Sequence, residues 1–186
     1  MYIIRKGRPE NCDKRLEKEI KVYDFLDKIN INYEMIDHDA ANNMEIYEKV
    51  DAALPATACK NLFLVNRQGT KFYLLMMPRE KDFRTRYLKE QLGLAHLSFA
   101  GEDYMKEYLN VTPGSVSIMG LIFDTDKKVE LIIDEDVIRG EYVRFHPCIF
   151  TSSIRIKTED FKEKLLVALS HEPVYVDIRG GQVNGK

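Results

Sequence analysis

Two apolar segments near the middle of the chain most limit the folds open to it. Residues 61–65 read Asn-Leu-Phe-Leu-Val and residues 72–77 read Phe-Tyr-Leu-Leu-Met-Met. The turn-forming residues 66–70, Asn-Arg-Gln-Gly-Thr, separate them, which predicts a β-hairpin. Because neither run alternates with polar residues, we expect both faces of these strands to be covered by other parts of the chain.

Segments typical of helices and of strands follow one another around this hairpin. Apolar residues at three- and four-residue spacing predict helices over residues 14–30, 44–50, 82–92 and 102–109, and a last helix capped by Thr158. Short apolar runs predict further strands at residues 31–36, 119–123, 129–133, 142–145, 153–156 and 174–178. Because strands occur both in hairpin succession and after helices, the pattern indicates an α+β (mixed α/β) fold in which helices surround a mixed sheet.

The chain is expected to form one domain in a reducing compartment. No repeat, low-complexity tract or linker interrupts residues 1–178, and residues 179–186, which lack an apolar period, are predicted to be a flexible tail. Cys12, Cys59 and Cys148 are odd in number and lack CxxC spacing, which argues against disulfides and a cysteine-rich zinc site. Since neither a signal-peptide core nor a membrane-spanning apolar run is present, the expected location is cytoplasmic.

The charge balance limits the kind of nucleic-acid binding open to this chain. Lys plus Arg is 28 and Asp plus Glu is 30, a net charge of −2, whereas proteins that coat nucleic acid are usually strongly basic. A local cluster of cations nevertheless lies within residues 79–89. Its members are Arg79, Lys81, Arg84, Arg86 and Lys89. This cluster is either a solvated helix face or a patch that contacts phosphates.

Three further positions carry residue types suited to chemistry. Lys60 enters an apolar strand, so it either reaches outward to water or serves a site. The loop 113–117, Pro-Gly-Ser-Val-Ser, is either a tight turn or a cradle of backbone N–H groups for an anion. His146 precedes a proline at a strand end, where a histidine is either structural or placed for a ligand. A metal site at residues 37–39 and a nucleophilic pair of His146 with Cys148 are weaker alternatives.

Taken together and in order, these stretches resemble the YbaK/ProX family of aminoacyl-tRNA deacylases, whose domain also occurs as an editing insertion in bacterial prolyl-tRNA synthetases. The resemblance covers most of residues 14–170, and residues 7–11 resemble the free-standing ProX-like members. The matching stretches are residues 60–64, 97–100, 112–117, 120–121, 145–147 and 151–154. The family pattern differs at two positions, because it has proline where this chain has Ile118 and asparagine where it has Phe150.

The resemblance implies a strongly curved mixed sheet wrapped by helices and an enzyme that hydrolyses the ester of mischarged tRNA(Pro). ProX-like members remove alanine and YbaK-like members remove cysteine; Lys60, Asn61 and His146 match the alanine-removing pattern. Two alternatives stay open. The first, motivated by Ile118 and Phe150, is a non-catalytic module that binds tRNA or an amino acid. The second is a deacylase selective for Cys-tRNA(Pro) or another small amino acid.

Roles for the residues follow from this chemistry, which needs positioning, an oxyanion donor and water. We assign Lys60 as the catalytic cation that orients the substrate, and the N–H groups of Gly114 and Ser115 as donors to the carbonyl oxygen. The residues expected to bind the substrate are Asn61, His146 and Ser117, and those expected to bind tRNA phosphates are Arg84, Arg86 and Lys89. We expect no cofactor, metal, membrane or DNA. The expected partner is the acceptor end of mischarged tRNA(Pro), with a transient contact to prolyl-tRNA synthetase left open.

Overall fold

The elements were located in a computed structural model of the chain, which describes residues 2–40, 44–94 and 96–178. The strands are β1 (Arg5–Lys6), β2 (Tyr33–Asp37), β3 (Thr57–Asn66), β4 (Phe72–Pro78), β5 (Leu97–Phe99), β6 (Val129–Asp134), β7 (Tyr142–Phe145), β8 (Ser152–Lys157) and β9 (Val174–Val176). The first four helices are α1 (Glu17–Lys28), α2 (Met44–Ala53), α3 (Thr85–Leu92) and α4 (Glu102–Leu109). The last helix, α5, joins Thr158–Asp160, a π-helical turn at Phe161–Leu165 and Leu166–Leu169.

Within these described residues the strands form one mixed sheet of nine strands. Its order is β1-β2-β8-β7-β3-β4-β6-β9, and β5 pairs with the remaining edge of β3. The pairs β7–β3, β4–β6 and β6–β9 are parallel, and the others are antiparallel. The predicted mixed α/β fold is therefore confirmed.

The hairpin β3–β4 lies at the centre of this sheet, as its apolar sequence predicts. Leu62 pairs with Leu75, and every residue of β4 is buried. Side chains of α1, α4 and α5 cover one face, where Tyr23, Leu109 and Phe161 are all buried. The other face is covered by α3 and the segment that ends at Ile178. Both faces are thus shielded from water, as continuous apolar strands require.

The strand predicted at residues 119–123 is wrong, because residues Ile118–Ile122 form a 3₁₀ turn. The Ser117 hydroxyl accepts a hydrogen bond from the Met119 N–H and so caps this turn. Gly120 lies against Leu109 of α4, and a Cβ at position 120 would come within 2.9 Å of the Leu109 Cβ. The close approach of the Gly120 backbone to Leu109 therefore determines that this segment forms a turn. An apolar run in the sequence does not reveal such a contact.

Helix boundaries differ from the prediction at the ends where caps were inferred. The third helix begins at Thr85 rather than Asp82, and it ends as expected at Gly93, which has a φ of 62°. The Thr158 that was expected to cap α5 is its first residue instead, preceded by Lys157. The predicted tail at residues 179–186 lies outside the described residues. Within the described ranges, no helix is long and apolar enough to cross a membrane.

Candidate functional site

A cavity opens where β7 separates from β3. The first two residues of β3, Thr57 and Ala58, pair with β7, and its last three residues pair with β5. In the described part of the chain, no strand pairs with residues 59–63 on this edge, although the Phe63 carbonyl accepts from the Ala100 N–H. The resulting cavity has a volume of about 170 Å³. Such a volume is about that of a cavity that holds one small ring, so it suits a small group.

Four of the predicted site residues line this cavity, and they come from three separate segments of the chain. They are Lys60, Asn61, Gly114 and His146. Two arginines line it as well: Arg79, a member of the cation cluster, and Arg144, which the sequence analysis did not single out. Ser115 and Ser117 do not line it, although their neighbours Gly114 and Val116 do, and the three predicted phosphate-binding residues are not among the lining residues either.

Lys60 and Asn61 reach the cavity from opposite faces of β3, since successive residues of a strand alternate. The half-buried Lys60 ammonium donates to the backbone carbonyl of Lys81. Lys81 is itself held in place, because its own ammonium lies 2.8 Å from the buried Asp134 carboxylate and 2.6 Å from that of Asp136. The loop that receives Lys60 is thus anchored through ion pairs to the end of β6.

The side-chain amide of Asn61 has no hydrogen-bond partner. Both its Nδ2 and its Oδ1 are buried, and neither bonds to any described residue. A buried amide without partners costs about 1–3 kcal/mol. The group therefore offers the N–H donors of its NH2 and its carbonyl acceptor to whatever enters the cavity.

His146 is held as a neutral imidazole that presents one nitrogen to the cavity. Burial lowers the pKa of His146 to about 4, and the nearby His38, Arg144 and Arg79 act in the same direction. Nδ1 lies 2.9 Å from the Ser152 carbonyl, so it carries the proton and donates to that oxygen. The lone pair of Nε2 is then free to accept a hydrogen bond from a substrate group.

The loop 112–117 forms a β-turn whose conformation requires glycine. Gly114 has a φ of 85°, and the Ser115 N–H donates to the Thr112 carbonyl at 3.0 Å. The Ser115 hydroxyl also donates to that carbonyl, at 2.9 Å, and accepts from the Thr112 N–H at 3.1 Å. Ser115 is therefore committed to the turn itself, which leaves the Gly114 N–H as the donor that this turn can offer to a ligand.

Ser117 connects this loop to the histidine. It is fully buried, and its hydroxyl donates to the backbone carbonyl of His146. The same oxygen accepts from the Met119 N–H at 3.2 Å. With both bonds formed inside the protein, Ser117 fixes the spacing between the Gly114 turn and His146.

The two arginines that line the cavity share one carboxylate. Arg79 binds Asp51 at 2.5 Å and lies over the Tyr47 ring, while the buried Arg144 binds the other oxygen of Asp51. Arg144 also donates to the Leu54 carbonyl at 2.7 Å, beyond the end of α2. Although partial burial opposes it, these hydrogen bonds hold the pKa of Asp51 below its usual value. Arg79, which follows β4, belongs to the cation cluster seen in the sequence, whereas Arg144 lies within β7, where the local sequence carries no functional pattern.

The five-cation cluster divides into two groups. Arg79, which lines the cavity, and Lys81, whose carbonyl meets Lys60, are both ion-paired. Arg84, Arg86 and Lys89 lie on or beside α3, where Arg84 and Arg86 are exposed. Arg86 contacts the Tyr87 ring at 5.2 Å, and none of the three pairs with a carboxylate in the described part of the chain.

The weaker alternatives find no support in the geometry. Burial raises the pKa of the Cys148 thiol to about 12 and also raises the pKa of Cys59, so neither is a ready nucleophile. Among the described residues, no group of three His, Cys, Asp or Glu side chains is placed to hold a metal. Phe150 is 39% exposed and is not part of the cavity wall, and Ile118 is buried in the core.

Comparisons with known proteins agree with the resemblance seen in the sequence. Residues 38–164 match the family described as the aminoacyl-tRNA editing domain. The prolyl-tRNA editing protein ProX of Acetoanaerobium sticklandii is 33% identical over 143 residues, which cover 77% of this chain and 87% of that protein. The prolyl-tRNA synthetase associated domain-containing protein 1 of Mus musculus is 27% identical over 82% of this chain and 91% of that protein.

Solved structures share the fold. A crystal structure of a candidate trans-editing enzyme for prolyl tRNA synthetase superposes with a TM-score of 0.66 at 14% identity, over 88% of this chain and 98% of that one. At this identity the structural similarity shows the fold alone, whereas the sequence matches above show the family. The chain therefore belongs to the aminoacyl-tRNA editing domain family.

Proposed function

We propose that this protein is a trans-editing deacylase that hydrolyses the ester of mischarged tRNA(Pro), with Ala-tRNA(Pro) as its main substrate, and that residues 1–178 form its single editing domain. The observation that carries the proposal is the partnerless Asn61 amide inside a small cavity lined by Lys60, Arg79 and Arg144. No carboxylate of the described residues lines this cavity. Its charge therefore suits the anionic end of an RNA, and its size suits a small amino acid.

The substrate contacts follow from the donors and acceptors that the cavity leaves free. The amino group of the alanyl ester donates to His146 Nε2 and Asn61 Oδ1, because neither acceptor bonds to a described residue. Lys60 orients the terminal ribose and phosphate as a fixed cation. Gly114 lines the cavity, and we assign its N–H as the donor to the ester carbonyl.

Hydrolysis needs little beyond this arrangement, because an aminoacyl ester is already activated. Water attacks the carbonyl carbon, and the negative charge that develops on the carbonyl oxygen is stabilised by the Gly114 N–H and by Lys60. The C–O bond to the ribose then breaks, the free amino acid leaves, and the proton lost by water goes to the ribose oxygen. No described side chain at the cavity is a strong general base, so we assign the proton relay to a neighbouring ribose hydroxyl of the substrate.

A panel of charged tRNAs tests this proposal. Purified protein is incubated with Ala-tRNA(Pro), Cys-tRNA(Pro) and Pro-tRNA(Pro), and loss of each ester is followed. We expect the alanyl ester to be lost fastest and the prolyl ester to persist. Faster loss of the cysteinyl ester would reassign the substrate, and binding without hydrolysis of any ester would favour a non-catalytic module.

Removing the cations on and just before α3 is expected to weaken tRNA binding mainly at low salt. Each lost phosphate contact lowers the slope of log K against log salt by about 0.7–0.9, so Arg84→Ala, Arg86→Ala and Lys89→Ala together should lower it by about 2–3. The binding constant is measured between 50 and 200 mM salt. The control replaces three exposed lysines outside this helix, Lys14, Lys28 and Lys162, and an equal change in slope there would contradict the assignment.

Acidification is expected to destabilise the protein through His146. Its pKa of about 4 in the folded state lies below the ordinary value of about 6.5, so between these values the unfolded chain binds a proton that the folded chain excludes. The free energy of unfolding should therefore fall as the pH drops below about 6.5, by at most about 2 kcal/mol at pH 5. The variant His146→Asn keeps a donor for the Ser152 carbonyl. Measured by urea unfolding, its free energy of unfolding should fall less over this pH range than that of the parent. The same change at the exposed His96 should leave the fall intact.

A further inference from the structure

Phe99 is an aromatic side chain that the fold leaves open to solvent near the cavity. It is 62% exposed, and its ring meets that of Phe83 edge to face, with centroids 6.3 Å apart. A single exposed apolar residue is ordinary, so its surroundings decide whether it has a role.

The register of the sheet places Phe99 on the same face as the Lys60 side chain. Phe99 of β5 lies directly opposite Leu64 of β3, and directly paired residues project to the same face. Along β3, Lys60, Leu62 and Leu64 also share that face, because side chains alternate. Lys60 and Leu64 are four residue steps apart along the strand, which is about 13 Å. The exposed Phe99 ring therefore lies on the face of the sheet that carries the Lys60 side chain, about 13 Å along the strand direction from Lys60.

Cations without a carboxylate partner among the described residues lie on the segment that contacts this ring and its neighbours. Arg84 directly follows Phe83 and is exposed, and α3, which carries Arg86 and Lys89, packs against β5. As noted above, these three cations have no carboxylate partner among the described residues. An exposed aromatic ring beside unpaired cations is the combination with which proteins hold single-stranded nucleic acid, since bases stack on the ring and phosphates meet the cations.

We propose that Phe99, supported by Phe83, is a platform on which a base of the single-stranded 3′ end of tRNA stacks while the esterified amino acid occupies the cavity. This inference rests on the proposed function, because it needs tRNA as the ligand. It adds a base-binding subsite to the phosphate contacts and the cavity. Stacking does not depend on base identity, so the platform positions the end without reading its sequence.

The test measures binding of an uncharged acceptor-stem minihelix that carries the single-stranded tRNA 3′ end. Phe99→Ala should weaken binding by about 5- to 150-fold, the range found when a stacking aromatic is removed. Phe99→Trp should bind as tightly as the parent, because it restores the ring. The control is Tyr175→Ala on β9, an aromatic residue 41% exposed at the edge of the sheet and three strands away from β3. It should have no effect.

A second set of RNAs shows whether stacking is the cause. Minihelices with an abasic site at the last or the next-to-last nucleotide are bound to the parent and to Phe99→Ala. At one of these positions the two proteins should bind equally weakly, because the base that stacks is missing. The proposal is overturned if Phe99→Ala binds the intact minihelix as tightly as the parent does. It is also overturned if the Phe99→Ala substitution weakens binding of both abasic RNAs as much as it weakens binding of the intact minihelix.

These binding experiments separate the platform from the proposed activity. They use uncharged RNA, so a protein that hydrolyses no ester can still show the loss on Phe99→Ala. Conversely, the parent protein can hydrolyse the ester while Phe99→Ala binds RNA as tightly as the parent. That result would overturn the platform but not the proposed activity.

Discussion

Replacing Lys60 by alanine is expected to reduce the single-turnover rate of Ala-tRNA(Pro) hydrolysis by about 10²–10³-fold, the cost of removing one donor that stabilises a developing oxyanion. Three cations line the cavity, but Arg79 and Arg144 already share the Asp51 carboxylate. Within the described residues, Lys60 is the cation of the cavity that pairs with no carboxylate, since its ammonium bonds to the Lys81 carbonyl. Its charge is therefore available to the substrate.

The control for Lys60 is Lys71→Ala, a lysine exposed next to β4 in the same hairpin. It should hydrolyse the ester at the parent rate. Lys60→Arg keeps the charge but changes its shape, so it should recover only part of the activity. A Lys60→Ala protein that stays folded and is as active as the parent would remove the central role of this residue.

Replacing Asn61 by leucine is expected to change stability and activity in opposite directions. The variant removes a buried amide that has no partner and keeps its approximate shape, so the free energy of unfolding should rise by about 1–3 kcal/mol. Hydrolysis of Ala-tRNA(Pro) should fall by about 10- to 150-fold in kcat/KM, because the bonds between this amide and the charged amino group are lost. Urea unfolding and single-turnover kinetics measure the two effects.

The chain offers a matched control for this prediction in Asn66, at the other end of β3. Its side-chain oxygen accepts from the N–H groups of Thr70 and Lys71, and its amide donates to the Thr70 hydroxyl. Asn66→Leu should therefore destabilise the protein and leave hydrolysis unchanged. A loss of stability in Asn61→Leu similar to that in Asn66→Leu would mean that the Asn61 amide is satisfied in the unliganded protein.

The sequence predicts the elements whose pattern is local. The two apolar runs of the β3–β4 hairpin are enough to place a strand pair covered on both faces, and Gly93 marks the end of α3. The prediction fails for the turn at Ile118–Ile122, where an apolar run suggests a strand. There the contact of Gly120 with Leu109 decides the structure, and no local period reports a contact between different elements.

The site divides in the same way. The sequence is enough to predict Lys60, Asn61, Gly114 and His146 as site residues. Each lies in a short stretch that matches the family pattern, and these stretches follow one another in the family order. Tertiary structure alone decides that β7 leaves β3 after two paired residues, and that the cavity forms in the gap. Tertiary structure also decides that the Ser115 N–H donates to the Thr112 carbonyl and is not free for a ligand. In the same way, Arg144 forms an ion pair with Asp51, which lies 93 residues earlier in the chain. Residue types show which groups a chain can offer, but which of these groups stay free depends on long-range hydrogen bonds and burial that form only when the sheet assembles.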